Sequence, residues 1–148
     1  MSESTAKIRV KKKFQALSAG QVCAVCQAIH KDNGGHRVNR ATCRHHIIHR
    51  GSQFLFGDWR NGINVCQECH NKIHSQAGFA NWVHDYVVGP QVMDLLYDLA
   101  RTDFKQHLLT NGITADEFWK IQEKNLDEQL KHSVRYGCFG AEFNDIPF

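Results

Sequence analysis

The sequence predicts an α+β fold, in which a small cysteine-stapled core precedes a mainly α-helical half. Two Cys-x-x-Cys pairs lie in the first half of the 148 residues, where long apolar runs are few. Short β-branched segments lie between and beside these pairs, and apolar residues at helical spacing follow them. A region under about 80 residues usually needs such a staple to stabilise its core. We therefore expect one domain, or one domain with an appendage.

Charge is divided unevenly between the two halves of the chain. The net charge is +3, with 12 Lys or Arg against 4 Asp or Glu in residues 1–74, and 6 against 11 in residues 75–148. A basic half suggests a polyanionic partner, because Lys and Arg neutralise phosphates and release counterions. An ordinary solvated surface is the alternative reading. The acidic half is not expected to face nucleic acid.

The residues ahead of the first cysteine pair predict a basic N-terminal arm, which we assign to residues 1–20. In residues 1–13 five basic residues oppose only Glu3, so we expect a flexible segment that either packs on phosphates or is solvated. Residues 14–20 predict a short turn of helix or strand. The basic residues of the arm are Lys7, Arg9, Lys11, Lys12 and Lys13.

Residues 21–76 predict a core of two strands and one helix. The first strand is expected over 40–48, followed by a loop that contains Gly51, Gly57 and Asp58. Residues 62–65 are partly β-branched and predict the second strand. The pattern becomes helical from Gln67 to about Ser75.

Residues 77–148 predict a set of helices. Gly89-Pro90 ends one helix and starts another, Asn111-Gly112 ends a shorter one, and the capping box at residues 114–117 opens the last, which continues to about His132. Apolar stripes at i, i+3, i+4 and i+7 predict that these helices pack on the core or on each other. The functional alternative is a homodimer interface.

The cysteine spacing predicts a structural zinc site. Structural zinc is commonly held by four thiolates in a tetrahedron, and each Cys-x-x-Cys supplies two of them from one turn. A closed site of this kind leaves no position for substrate, so its role would be to hold the helix after residue 66 against the rest of the core. Cys43 and Cys138 have no partner at ligand spacing and are expected to be packing residues. The predicted ligands are Cys23, Cys26, Cys66 and Cys69.

Four histidines predict a second site. His70 and His74 are at i and i+4, so both imidazoles lie on one helix face and can hold one ion. His45 and His46 are consecutive on a predicted strand, where side chains alternate, so they cannot have the same role. One can complete a three-histidine metal site, while the other serves as a base near neutral pH.

These motifs together resemble the HNH endonuclease family. The resemblance is carried by Arg44-His45-His46-Ile47-Ile48, by Asn61, and by the run from Cys66 to His74, and it covers about residues 23–75. That family folds as a two-stranded ribbon and a helix around one divalent ion, and some members add a zinc held by Cys-x-x-Cys pairs. The resemblance thus implies a zinc-stapled ββα-metal nuclease core.

The resemblance also implies a role for each residue. His45, His70 and His74 would bind the catalytic ion, His46 would be the general base, and Asn61 would orient that base by a hydrogen bond. Two features depart from the common pattern: no proline follows the doublet closely, and many members carry Asp at the first histidine. The nitrogen ligands favour Mn²⁺, Ni²⁺ or Zn²⁺, and Mg²⁺ stays an alternative.

The implied activity is metal-dependent hydrolysis of DNA phosphodiester bonds, with 5′-phosphate and 3′-hydroxyl products. The DNA would be double-stranded or branched, and such enzymes are frequent in bacteriophages and mobile elements. Two alternatives stay open: a non-catalytic zinc module that binds nucleic acid, and a nuclease of the RNA-directed or toxin type. Arginines near the motif would position the phosphate backbone. They are Arg37, Arg40, Arg44, Arg50 and Arg60.

Targeting signals are not apparent in the sequence. The first residues lack the apolar stretch of a signal peptide, and no apolar run approaches the about 20 residues of a membrane span. We therefore expect a cytoplasmic protein without a membrane partner. A reducing compartment would favour metal binding over disulfides.

Overall fold

The computed structural model describes residues 4–48 and 53–136, with side chains up to residue 132. In these ranges the fold is α+β, with seven α-helices and one two-stranded antiparallel sheet. A short 3-10 turn precedes the second strand, and a π-helical segment (Val83–Val88) follows the fourth helix. The elements are α1 (Thr5–Ala16), α2 (Ala24–Asp32), β1 (Cys43–His46), β2 (Gly62–Val65), α3 (Gln67–Ser75), α4 (Ala77–Trp82), α5 (Pro90–Ala100), α6 (Phe104–Asn111) and α7 (Ala115–Tyr136).

The ribbon β1–β2 followed by α3 forms a small ββα arrangement. Cys43 pairs with Val65 and His46 with Gly62 at the two ends of the ribbon. The first strand is shorter than the predicted 40–48, because the chain before it is held elsewhere. There Arg40 forms an isolated bridge with Val22, which ties this segment to the approach to α2.

Two apolar cores flank the ribbon. The first surrounds the cysteine pairs and contains Ile63 and Val65 of β2, Ile73 of α3, and residues of α5. The second lies between α1 and α7. Phe54, from the loop between the strands, packs against both. The second core consists of Ala6, Val10, Phe14, Leu17, Phe118, Trp119 and Leu126.

The predicted flexible arm is wrong for residues 5–16, which form α1. Ala6, Val10 and Phe14 recur every four residues, so they share one helix face, and all three are buried. The apolar residues alternate with basic ones along the sequence. The prediction of a flexible arm considered only the charge of this segment and therefore missed the apolar stripe. The stripe packs against α7, so the N-terminal segment is part of the folded domain.

The basic side of α1 also contacts α7 through ion pairs. Arg9 Nε donates to Glu123 Oε2 at 2.8 Å, and Lys13 Nζ lies 2.7 Å from the same oxygen. Lys13 also reaches Asp127 at 2.8 Å. Hydrogen bonds from Arg9 and Lys13 lower the pKa of Glu123 to about 2. The acidic C-terminal half thus neutralises part of the N-terminal positive charge.

The predicted boundaries of the later helices are largely confirmed. Gly89 has a φ of 92° and Pro90 is the first residue of α5, while Gly112 ends α6 with a φ of 62°. The capping box is present, since the Thr114 side chain accepts from the Glu117 N–H and Glu117 accepts from the Thr114 N–H. The helix that ends at Gly89 differs from the expected regular α-helix, because it changes to π-helical geometry after Trp82. Among the described residues no helix is long and apolar enough to cross a membrane.

We predict that acid destabilises the α1–α7 contact through Glu123. Its pKa is lowered in the folded state, so its contribution to stability is complete above about pH 4.5 and is lost as the pH falls toward about 2. In thermal melts, Glu123→Gln should lower Tm at neutral pH and reduce the further loss of Tm between these pH values. Glu128→Gln is the matched control, because Glu128 is an exposed carboxylate of the same helix. Equal melting curves for Glu123→Gln and the unaltered chain would contradict the prediction.

Candidate functional site

Four buried cysteines converge at the junction of α2 and α3. The Cys26 sulfur lies 3.8 Å from that of Cys66 and 3.7 Å from that of Cys69. A tetrahedron with Zn–S bonds of about 2.3 Å has edges of about 3.8 Å, so these separations fit one zinc ion. Their sulfurs all lie within 4.8 Å of one another. The set is Cys23, Cys26, Cys66 and Cys69, the four residues predicted from spacing.

Each cysteine pair begins a helix. Cys23 precedes α2 and its sulfur accepts from the Cys26 N–H at 3.3 Å, while Cys66 precedes α3 and accepts from the Cys69 N–H at 3.5 Å. Helix N-termini favour negative charge, because their backbone N–H groups are unpaired and the helix dipole is positive there. Cys23 and Cys66 therefore each accept a hydrogen bond from the start of the helix that follows.

Burial and hydrogen bonds within the cluster shift the pKa values of three of the four thiols, and not all in the same direction. A hydrogen bond from the Cys69 thiol lowers the pKa of Cys23 to about 5, and burial raises the pKa of Cys26 to about 12. Donation toward Cys23 raises the pKa of Cys69. The cluster thus favours one thiolate and keeps Cys26 and Cys69 protonated. A bound cation would stabilise the thiolate form of these cysteines as well.

Three histidines form a second cluster beside the first. The His45 ring lies 5.4 Å, centroid to centroid, from the rings of both His70 and His74. The Nε2 atoms of His70 and His74 are 3.0 Å apart, and the ligand nitrogens of the three residues lie within 4.8 Å of one another. The structure therefore brings together the three predicted metal ligands.

Burial decreases across this cluster from His45 to His74. His45 is only 4% exposed, His70 is half-buried and His74 is exposed. Burial, together with the neighbouring His74, lowers the pKa of His70, which keeps that ring in the neutral form that binds metal. The exposure of His74 places one side of the cluster at the solvent.

Cys43 contacts the histidine cluster, although the sequence predicted only a packing role. Its sulfur lies 3.5 Å from His70 Nδ1 and 4.0 Å from the Val65 carbonyl oxygen. Burial raises the pKa of the Cys43 thiol, so its S–H can donate to that carbonyl while the sulfur accepts from Nδ1–H. In the tautomer with the proton on Nδ1, the lone pair of His70 lies on Nε2, the nitrogen that faces His74.

His46 contacts a different part of the molecule from His45, as strand alternation predicts. Its ring stacks on Phe14 at 4.2 Å and on Phe56 at 5.5 Å. Its Nε2 is 3.0 Å from the Phe56 carbonyl oxygen. A carbonyl only accepts, so Nε2 carries the proton and the lone pair of the neutral ring lies on Nδ1.

Asn61 is fully buried and holds the loop between the strands. Its side-chain oxygen accepts from the Ile48 N–H at 2.8 Å, and its nitrogen donates to the carbonyls of Ile48 and Leu55. These bonds use the amide that was predicted to orient His46. In these contacts Asn61 supports His46 indirectly. Asn61 donates to the Leu55 carbonyl, and the next residue, Phe56, supplies the carbonyl that accepts from His46.

The predicted DNA-binding arginines occupy different environments. Arg37 and Arg40 are exposed, and Arg60 is paired with Asp58 at 2.6 Å. The prediction for Arg44 is wrong, because its guanidinium is buried and donates to Asn64 Oδ1 and the Trp59 carbonyl. Burial lowers the pKa of Arg44 to about 9. Arg50 lies outside the described residues.

Two lysines of α1 lie beside the His46 region and were missed as site residues. Lys7 Nζ is 5.5 Å from the Phe56 ring centroid, and Lys11 Nζ is 5.7 Å from it. Phe56 is the ring that stacks on His46. The four-residue spacing of the two lysines, which equals that of the buried residues of α1, could have indicated that both lie on one face of a packed helix.

Comparisons of the chain with protein-family models, with curated proteins and with solved structures found no match. The resemblance to HNH nucleases therefore rests on the motif residues and on the geometry of the two clusters.

We predict that Cys69→Ser abolishes stoichiometric zinc binding and destabilises the core, because a closed four-thiolate site needs all its ligands. Zinc content by mass spectrometry and the thermal melt would measure both effects. Cys43→Ser is the matched control, since that thiol lies outside the four-cysteine set. Retention of one zinc per chain by Cys69→Ser, with an unchanged Tm, would contradict the assignment.

We predict that Cys43→Ala weakens binding of a divalent ion at the histidine cluster by about tenfold or more, because His70 loses the partner that fixes its tautomer. Calorimetric titration of zinc-loaded protein with Mn²⁺ or Ni²⁺ would measure this. Cys43→Ser should retain most of the affinity, since a hydroxyl can both donate and accept. Equal affinities for the alanine and serine variants would show that Cys43 has only a packing role.

Proposed function

We propose that this protein is a metal-dependent DNA endonuclease of the HNH type. The observation that carries the proposal is the open three-histidine cluster on a ββα arrangement, adjacent to a closed four-cysteine cluster. A structural site would enclose its ion, whereas this cluster has an exposed side where a phosphate oxygen could bind. The pairing of a closed and an open site fits one stabilising metal and one catalytic metal.

The histidine cluster would hold the catalytic cation. His45, His70 and His74 supply three imidazole nitrogens, and nitrogen donors suit Mn²⁺, Ni²⁺ or Zn²⁺ better than Mg²⁺. When bound, the cation would supply Lewis-acid stabilisation of charge that grows on the phosphate and leaving oxygens. The four-cysteine cluster would hold structural Zn²⁺.

His46 is proposed as the general base that takes a proton from the attacking water. The hydrogen bond from Nε2 to the Phe56 carbonyl orients the ring and assigns the accepting role to Nδ1. Phe14 and Phe56 hold the imidazole between their faces and so limit its rotation. Asn61 acts as a positioning residue, because it fixes the loop that carries Phe56.

Positive side chains near the site would position the DNA backbone. Lys7 and Lys11 lie at the Phe56 ring, and Arg37 and Arg40 are exposed on the segment between α2 and β1. Contacts of this kind neutralise phosphates without reading sequence, so binding should weaken with salt. The buried Arg44 instead supports the ribbon.

A non-catalytic, zinc-dependent nucleic-acid-binding module is the second candidate. The observation that favours it is the set of structural contacts made by His46, which stacks on two aromatic rings and binds a backbone carbonyl. In that case the imidazole would stabilise the interface between α1 and the ribbon. Cleavage assays separate the two candidates, because only the first requires turnover.

We predict that the unaltered protein nicks supercoiled plasmid with Mn²⁺, Ni²⁺, Zn²⁺ or Mg²⁺, and that His46→Ala reduces the rate by about 10²- to 10⁴-fold, the usual contribution of a general base. Metal affinity of the histidine cluster should be retained in this variant. His74→Ala should lower both nicking and metal affinity. Gel electrophoresis and calorimetry provide the two measurements.

The matched control is His132→Ala, an exposed histidine of α7 outside the three-histidine cluster. Its nicking rate should equal that of the unaltered chain. Absence of nicking by the unaltered protein with all four cations would overturn the nuclease and favour the binding module. Full nicking by His46→Ala would remove that residue from the base role.

A further inference from the structure

A polar cavity lies between α7 and the segment that leads into β2. Its volume is about 270 Å³, near the lower end of the about 300–1,000 Å³ of ligand pockets. This size suits one planar ring system better than a peptide or an extended cofactor. The lining residues are Gly57, Asp58, Trp59, Arg60, Gln122 and Asn125.

One residue that lines the cavity, Gln122, carries a buried acceptor that lacks a donor. Gln122 is 8% exposed, and its Oε1 has no hydrogen-bond partner among the described residues. A buried amide oxygen without a donor is unfavourable, so a ligand N–H group that reaches this atom would restore the missing hydrogen bond. The group that fits this atom is the amino or imino N–H of a ring.

The opposite wall is formed by the Gly57–Arg60 segment. Trp59 supplies an aromatic side chain, and Arg60 supplies a cation whose Nε and Nη2 are fixed by Asp58. A Cβ at position 57 would lie 2.3 Å from Val10 Cγ1 and 2.6 Å from Gln122 Oε1, so a larger residue there would displace these side chains. The two walls therefore approach each other closely at one end of the cavity.

We propose that this cavity binds a single unpaired nucleobase of a DNA strand. Trp59 would stack on the base, the amides of Gln122 and Asn125 would bind its Watson–Crick edge, and Arg60 would lie near the adjoining phosphate. Bases taken out of a duplex are recognised by this combination of stacking and edge hydrogen bonds. A base that is paired in a duplex has its edge occupied and cannot enter.

The cavity is close to the proposed general base along the chain. Gly57 directly follows Phe56, the residue whose carbonyl accepts from His46. If the protein is the proposed nuclease, it should cleave DNA with an unpaired nucleotide in preference to fully paired DNA. This consequence rests on the proposed function. The binding step itself can be tested without cleavage.

The test is a nuclear magnetic resonance titration of the zinc-loaded full chain with the four deoxynucleoside 5′-monophosphates and with deoxyribose 5-phosphate. The nucleotides should shift the side-chain N–H signals of Trp59, Gln122 and Asn125. They should bind about fivefold or more tightly than the sugar phosphate, because the base adds stacking. Both probes carry the same phosphate, so binding to a cation or to surface lysines cancels in this comparison.

Gln122→Leu should reduce nucleotide affinity to that of the sugar phosphate. Gln129→Leu, two turns further along α7, is the matched control and should leave affinity unchanged. The unaltered chain decides the question if Gln122→Leu fails to fold: unshifted Trp59, Gln122 and Asn125 signals with all four nucleotides at millimolar concentration overturn the proposal. Equal affinity for nucleotides and sugar phosphate overturns it as well.

The outcome is independent of the nuclease assignment. Plasmid nicking without nucleotide shifts at Trp59 would overturn the base site and leave the nuclease intact. Shifts at Trp59 in a protein that nicks with none of the four cations would retain the base site and overturn the nuclease. If both hold, an oligonucleotide with one unpaired base should be cut faster than its fully paired counterpart.

Discussion

The sharing of α3 between the four-cysteine cluster and the three-histidine cluster is the constraint on which the site depends. Cys66 caps the start of this helix and Cys69 lies in its first turn, and His70 and His74 follow. Because Cys69 and His70 are adjacent, the rotation of the helix that suits the sulfurs also sets the direction of the imidazoles. The open cluster therefore obtains its geometry from the closed one.

The ribbon connects the three-histidine cluster to the core between α1 and α7. One strand carries His45 toward α3 and His46 toward α1, so the two cores meet at consecutive residues of β1. Gly62 permits the close approach, since a Cβ there would lie 2.6 Å from both Phe14 and Arg44. Loss of α1 would thus remove the Phe14 ring that stacks on His46.

Spacing in the sequence was sufficient to predict which cysteines and which histidines lie together, because residues on one helix turn or one strand are related by local geometry. The roles of Arg44, Cys43 and α1 could not be predicted from spacing, because they depend on contacts between distant parts of the sequence. The sequence around Arg44 does not distinguish it from a surface arginine. Its burial becomes evident only from its contacts with Asn64 and the Trp59 carbonyl in the folded chain. Cys43 meets His70 only after the strands pair. The apolar stripe of α1 was hidden by its lysines, and its partner α7 is more than a hundred residues away.

The opposite burial of the two clusters implies an order of assembly for the metals. The four thiols are enclosed by the first core, so an ion held there would enter while α2 and α3 come together. His74 is exposed, so an ion held by the proposed histidine site could be acquired and exchanged by the finished domain. The identity of the second metal would then follow the composition of the surrounding solution, whereas the first would be retained from folding onward.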